Sequence, residues 1–243
     1  MTDKLKNKEE FRYAPIGVFD SGVGGLTVAR EIMRQIPNER IIYFGDTARV
    51  PYGSKSKETI IRFSRQIIRF LQSKGVKAIV IACNTASALA LETVQPEFDI
   101  PIIGVLKPGA KEAARVTKNG KIGVIATEST IESQVYTEVI HSHKPNAQVL
   151  GKPCPLFVPL VEEGWLKDPV TVEVANRYLE PLLESGIDTL IMGCTHYNDG
   201  KQSYEGPMHE FYVSDAANKF KNFANSILPY GVDTTQLIHI EDY

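Results

Sequence analysis

Two cysteines of this chain stand in matching surroundings. Residues 78–85 read AIVIACNT and residues 189–195 read TLIMGCT. Each is an apolar run closed by a small residue, a cysteine, and then Asn-Thr or Thr. A buried cysteine is commonly an inert small apolar residue. A cysteine at the amino end of a helix is different, because the helix dipole favours its thiolate near neutral pH. Two such thiols facing each other across a substrate could invert a stereocentre. The thiolate removes a proton from an α-carbon on one face, and the opposite thiol returns one to the other face of the planar intermediate. Each group is base in one direction and acid in the other, so their titrations are coupled. Donors aimed at the substrate carboxylate must stabilise the charge that develops. The third cysteine, Cys154, lies between Pro153 and Pro155 and reads as structural.

Ligands of open α/β sheets bind beyond the carboxyl ends of the strands. Five segments should gather there: Asp20–Gly25 (DSGVGG), Asp46–Gly53 (DTARVPYG), Cys83–Thr85 (CNT), Glu162–Gly164 (EEG) and Cys194–His196 (CTH). DSGVGG follows a predicted strand and opens a predicted helix, whose amino end can hold an anion such as a carboxylate. It matches neither the dinucleotide G-x-G-x-x-G pattern nor the phosphate loop G-K-[ST]. Two readings of Asp20 stay open, a cap for the following helix or a carboxylate of the cleft. His196, two residues after Cys194, would either tune that thiol or hydrogen-bond within the cleft wall. Trp165 reads as a packing residue.

The elements that must position these groups follow from hydrophobic periodicity. Strands are predicted at 15–19, 40–44, 78–82, 102–105, 121–126, 148–150 and 189–192. Helices are predicted at 26–36, 58–71, 85–94, 109–116, 132–140 and 170–183. Short strands rich in β-branched residues, alternating with helices, mean βαβ units and parallel sheets. Beyond Tyr197 comes a polar loop, NDGKQSYEGP, then a strand at 211–213, a helix at 216–227 and a weak strand at 237–240. The fold class is therefore α/β, with two similar halves that each deliver a cysteine at a strand end.

Composition removes other classes. Lys plus Arg total 27 against 29 Asp plus Glu, a net charge of −2. That lacks the basic excess of a nucleic-acid binder. Three cysteines in 243 residues do not make a disulfide framework, and none has zinc-ligand spacing. The start, MTDKLKNKEEFRYAP, has no apolar core of a secretory leader. No apolar run approaches the ~20 residues that span a bilayer. The expectation is a cytoplasmic protein with free thiols, no metal and no membrane or nucleic-acid partner.

Taken together, FDSGVGG, YFGDTARVPYG, IACNTASA, VEEG and GCTHY resemble the glutamate racemases of the cofactor-independent aspartate/glutamate racemase superfamily. The resemblance runs from about Ala14 to Tyr197 and resumes over His209–Phe220 (HEFYVSDAANKF). It implies two pseudo-symmetric parallel-sheet α/β domains with the active site in the cleft between them. It implies interconversion of L- and D-glutamate for peptidoglycan, with no pyridoxal phosphate or metal, by a homo-oligomer, a dimer. Carried over by motif, Cys83 and Cys194 are the acid/base pair, with Asp20, His196 and Glu162 as auxiliary polar groups. Asp20, Ser21, Tyr52, Gly53, Asn84, Thr85, Thr195 and His196 would bind substrate. The domains would be 14–106 with 208–243, and 107–207, after a disordered tail at 1–13.

One departure is local. Family members continue GCTHY into Pro-Leu-Leu, a helix, a strand with an Asp-Ser pair and a further helix. Here NDGKQSYEGP follows at once, and about 35–45 residues are missing by typical element lengths. The second domain should therefore lack a helix–strand–helix segment. It should show an open sheet edge and apolar faces, and Cys194 should lack its following helix. Impaired catalysis, or racemisation of aspartate instead, are the alternatives this leaves.

Overall fold

The computed structural model describes residues 11–197 and, as backbone strands, 210–213 and 235–237. In chain order the elements are β1 (Ile16–Asp20), α1 (Leu26–Gln35), β2 (Ile41–Gly45), a 3-10 turn (Tyr52–Ser54), α2 (Lys57–Ser73), β3 (Ala78–Ile81), α3 (Asn84–Leu89) and α4 (Leu91–Val94). Then come β4 (Ile102–Gly104), α5 (Leu106–Val116), β5 (Lys121–Ala126), α6 (Glu128–Glu132), α7 (Val135–His143) and β6 (Gln148–Pro153). The remainder is α8 (Phe157–Glu162), α9 (Pro169–Glu184), β7 (Thr189–Gly193), a 3-10 turn (Thr195–Tyr197), β8 (Glu210–Val213) and β9 (Thr235–Leu237).

Two parallel sheets result, ordered β4-β3-β1-β2-β8-β9 and β6-β5-β7. Helices cover both faces of the first, and this is why its strands are continuously apolar. All five residues of β2 are buried. The pleat sends Phe19, Phe44 and Ile81 to one face, against Ile67, Ile68 and Leu71 of α2. It sends Val18, Ile41 and Tyr43 to the other, against Leu26, Ala29 and Met33 of α1. In the second sheet Ile122 and Val124 pack on α5 and α7, while Ile125 faces Leu182 of α9. Among the described residues β7 pairs with β5 alone. Its outward Leu190 and Met192 are 41% and 48% exposed, so that side of the second sheet carries apolar surface in solvent.

The departures from the sequence reading are local and have physical reasons. The helix expected at 132–140 is α7, which starts only at Val135, after Gln134 at φ 58°, and a separate short helix, α6, precedes it. Helix α5 starts three residues before its expected start, because Pro108 is tolerated in a first turn. Strand β6 runs on to Pro153, which an edge strand permits. Helix α8 was not expected at all; Pro159 inside it hides its periodicity. Trp165, read as a packing residue, is 50% exposed. The chain after Tyr197 supplies β8, which pairs with β2 of the first sheet. The helix expected at 216–227 and the strand residues 238–240 lie outside the described residues.

Candidate active site

The strand ends bring the candidate residues to one place. Ser21, Tyr52, Gly53, Cys83, Asn84, Thr85, Cys194, Thr195 and His196 line one cavity of about 20 Å³. A space of that size holds about one water molecule.

The DSGVGG loop is built around Asp20. Its Oδ2 accepts from the backbone N–H of Gly22 and Gly25, each at 3.1 Å. Its Oδ1 accepts from the Thr195 hydroxyl at 3.2 Å. Asp20 thus ties together the β1–α1 loop and reaches across to the second cysteine loop, but it does not itself line the cavity. Burial raises its pKa, and the charge of His196 and the hydrogen bonds from Gly22, Gly25 and Thr195 oppose that rise. Gly24 is required by close approach. A Cβ there would lie 2.8 Å from the backbone carbonyl carbon of Thr195.

Cys83 is the N-cap of α3, and the Ala86 N–H donates to its Sγ at 3.5 Å. The sequence expectation was a thiolate favoured near neutral pH. The structure reverses it. Burial, and then the charge of Asp20, push the Cys83 thiol up to about 12, against hydrogen bonds from Ala86 and Ser21. A short helix of six residues does not outweigh complete desolvation.

Cys194 is followed by a single 3-10 turn, Thr195–Tyr197, beyond which the described residues stop. Tyr197 anchors this turn. Its ring meets Phe157 edge to face at 5.2 Å, and its hydroxyl donates to the Cys154 carbonyl at 3.3 Å. An aromatic pair of this kind adds about 0.5–1.5 kcal/mol beyond buried area. Cys154 thus serves the site through its backbone, with its side chain buried beside Ile125.

His196 Nδ1 lies 3.8 Å from Cys194 Sγ, and its Nε2 lies 2.8 Å from Oε1 of Glu162, the last residue of α8. Burial alone would depress the imidazole. The bonds to Cys194 and Glu162, with the charges of Cys194 and Asp20, overcome burial and raise its pKa to about 10. The site therefore keeps an imidazolium against Cys194, backed by a carboxylate.

Tyr52 and Gly53 line the cavity. The Tyr52 hydroxyl donates to Asp46 Oδ2 at 2.5 Å, and Asp46 also accepts from Arg49 Nε at 2.7 Å. The Tyr52 side chain is thus committed to the protein, and its main chain is what it can offer a ligand. Thr85 lies in a buried hydroxyl cluster, 2.9 Å from Thr127 and 3.2 Å from Thr130. Thr127 also lines the cavity, and the sequence reading missed it. The signal was available: Thr127 follows β5 just as the cysteines follow β3 and β7. Among the described residues no group of three His, Cys, Asp or Glu could hold a metal ion, and no helix is long and apolar enough to cross a membrane.

These shifts have one sign. His196, Cys83 and Asp20 all have folded pKa values above their unfolded values, so each stabilises the fold at low pH and loses that contribution as pH rises through its folded pKa. His196 acts between its ordinary 6.5 and about 10, and Cys83 between 9.0 and about 12. The melting temperature is expected to fall from pH 7 to 10 and more steeply above 9. Calorimetry across pH 6–10.5 checks this, and a flat profile would contradict the assigned environments. Glu162→Gln should shrink the slope below pH 9.

Fold and site define a class: paired parallel-sheet α/β units, each contributing a thiol to one polar cleft. Comparison with known proteins agrees. The family model described as Asp/Glu/Hydantoin racemase matches residues 16–206. A glutamate racemase of Geobacter metallireducens is 55% identical over 182 residues, 75% of this chain and 67% of that protein. One of Trichormus variabilis is 54% identical over 191 residues, 79% of this chain and 65% of that protein. The crystal structure of glutamate racemase from Francisella tularensis, in complex with D-glutamate, superposes with a TM-score of 0.85 at 38% identity, covering 95% of this chain and 99% of that one. The chain belongs to the Asp/Glu/hydantoin racemase family. It spans about two thirds of the length of the two curated relatives named above.

Proposed function

We propose that this chain interconverts L- and D-glutamate by proton transfer between Cys83 and Cys194, without a cofactor. The observation that carries the reading is the convergence of the two thiols on one cavity, the first from the end of β3 and the second from the end of β7. The names of the relatives supply the substrate: glutamate rather than aspartate.

In the resting pair Cys83 keeps its proton, in line with its raised pKa. Cys194, beside His196, is the base in this direction and acts as its thiolate. The thiolate sulfur takes the α-proton and becomes a thiol. The electron pair left on the α-carbon delocalises into the substrate carboxylate. Cys83 then gives its proton to the opposite face and becomes the thiolate. The reverse reaction exchanges the roles, and no atom is gained or lost. Ser21, Asn84, Thr85 and Thr195, with the main chain at Tyr52–Gly53, surround the space where the two substrate carboxylates and the ammonium group would sit. Asp20 and Glu162 hold Thr195 and His196 in place. The same reading makes residues 14–106 with 208–243 one domain and 107–207 the other. It places the product, D-glutamate, in the cytoplasmic supply for peptidoglycan.

The test is incubation with L-glutamate in deuterated water, following the α-proton by NMR and configuration by optical rotation. Deuterium incorporation that keeps pace with inversion is expected. Neither change with glutamate, or both with aspartate alone, would overturn the reading.

A further inference from the structure

Tyr136 is absent from the motifs that define the site, yet it touches both cysteine loops. It is buried in the first turn of α7. Its hydroxyl donates to Asn84 Oδ1 at 2.7 Å, next to Cys83. Its ring edge lies on Gly193, next to Cys194: a Cβ at Gly193 would come within 3.0 Å of Tyr136 Cε2. The left-handed turn at Gln134, φ 58°, breaks the helix just before Tyr136 and sets the direction from which the ring enters.

We infer that Tyr136 is a positioning residue, which orients the Asn84 amide toward substrate and backs the Cys194 loop at a fixed distance from it. The reasoning uses hydrogen-bond polarity. A phenol bound to a carbonyl oxygen donates, so Oδ1 of Asn84 is engaged by the protein. The Nδ2 group has no protein partner among the described residues, and Asn84 lines the cavity. The amide is thereby presented as a donor, the polarity a substrate carboxylate requires. Without the tyrosine hydroxyl, either end of the amide could face the cleft, and the acceptor end would repel a carboxylate. The ring has a second role. It sits where a side chain at residue 193 would stand, so Gly193 is the complement of Tyr136 and not a point of flexibility.

This inference rests on the glutamate reading above, and its test separates the two. Tyr136→Phe keeps the ring and removes the hydroxyl. It is expected to raise KM for both enantiomers about five- to tenfold, the size of one ordinary hydrogen bond, because the amide loses its fixed orientation but not its donor. The kcat value should change less than about twofold and the pH profile not at all. In an Asn84→Ala background the same substitution should add nothing further to KM, because its effect passes through Asn84. Tyr136→Leu, which also removes the ring from Gly193, should lower kcat as well. Should that variant fail to fold, the phenylalanine variant still decides. An unchanged KM in Tyr136→Phe, or effects that add in the double variant, would overturn the inference. Calorimetric titration with D-glutamate supplies a readout independent of turnover. A wild type that binds but does not racemise, with binding weakened by Tyr136→Phe, would remove the proposed function and keep the role of Tyr136. A wild type that neither binds nor turns over glutamate would remove both.

Discussion

Serine in place of Cys83 or of Cys194 is expected to lower inversion of glutamate by about a thousandfold or more, at the upper part of the range for general acid–base groups. An alcohol is far too weak an acid to exist as its anion at neutral pH, and too weak a base as a neutral group to take an α-proton. The two variants should fail in complementary ways. With Cys83 replaced, Cys194 still faces one side of the α-carbon and can exchange the proton of one enantiomer with solvent, returning deuterium to the same face. With Cys194 replaced, the other enantiomer should exchange. NMR in deuterated water with each pure enantiomer reads this directly. Two single-thiol variants that both invert glutamate within tenfold of wild type would rule out the two-thiol scheme. Neither substitution should unfold the protein, because serine nearly matches cysteine in shape and the thiols make only weak sulfur contacts among the described residues, Cys83 with Ala86 at 3.5 Å and Cys194 with His196 at 3.8 Å.

Alanine in place of Gly24 is expected to damage the site without touching a reacting group. Its Cβ would stand 2.8 Å from both the carbonyl carbon and the hydroxyl oxygen of Thr195, and 3.0 Å from the His196 nitrogen. Real side chains do not come this close to backbone, and a backbone segment cannot turn aside as a side-chain tip can. The Thr195–His196 segment must move off the β1–α1 loop, breaking the 3.2 Å bond from Thr195 to Asp20 and carrying Cys194 with it. Displacements of about 1 Å can cost about a hundredfold in rate, so a fall in kcat of that order is expected. Overpacking of this kind costs about 1–3 kcal/mol. In a chain of this size that is a drop of several degrees in melting temperature. Gly22→Ala is the control: its Cβ would meet nothing nearer than 3.7 Å, and near-wild-type kinetics and melting are expected. Equal behaviour of the two variants would show that the loop, not the contact across the cleft, sets the requirement for glycine.

Much of this architecture was legible in the chain itself. The continuous apolar runs at 16–19, 41–44 and 122–126 read as strands buried on both faces, and they are, because helices pack on both faces of β1, β2 and β5. The rule that ligands gather at strand carboxyl ends placed Ser21, Cys83 and Cys194 on one cleft. What it could not find were elements whose local signal is broken. Helix α8 carries Pro159, and α6 and α7 meet at a left-handed residue that no periodicity announces. Thr127, Thr130 and Tyr136 escaped for a related reason. Each acts through a partner more than forty residues away in sequence, and a single chain carries no mark of such a pairing.

The sequence by itself determined the α/β class, the two halves and the strand-end positions of the candidate site residues, because these follow from hydrophobic period and turn chemistry, which are local. It also placed Glu162 and His196 among the auxiliary groups by motif. Only the tertiary structure decided their protonation. Cys83 sits at a helix amino end, which in isolation favours a thiolate; the fold removes water from it and sets Asp20 beside it, and it holds its proton. His196 is buried, which alone would leave it neutral, yet Cys194 and Glu162 on either side keep it charged. Spacing along a chain fixes which groups arrive. Desolvation and the charges met on arrival, which come from distant segments, fix the form in which they act.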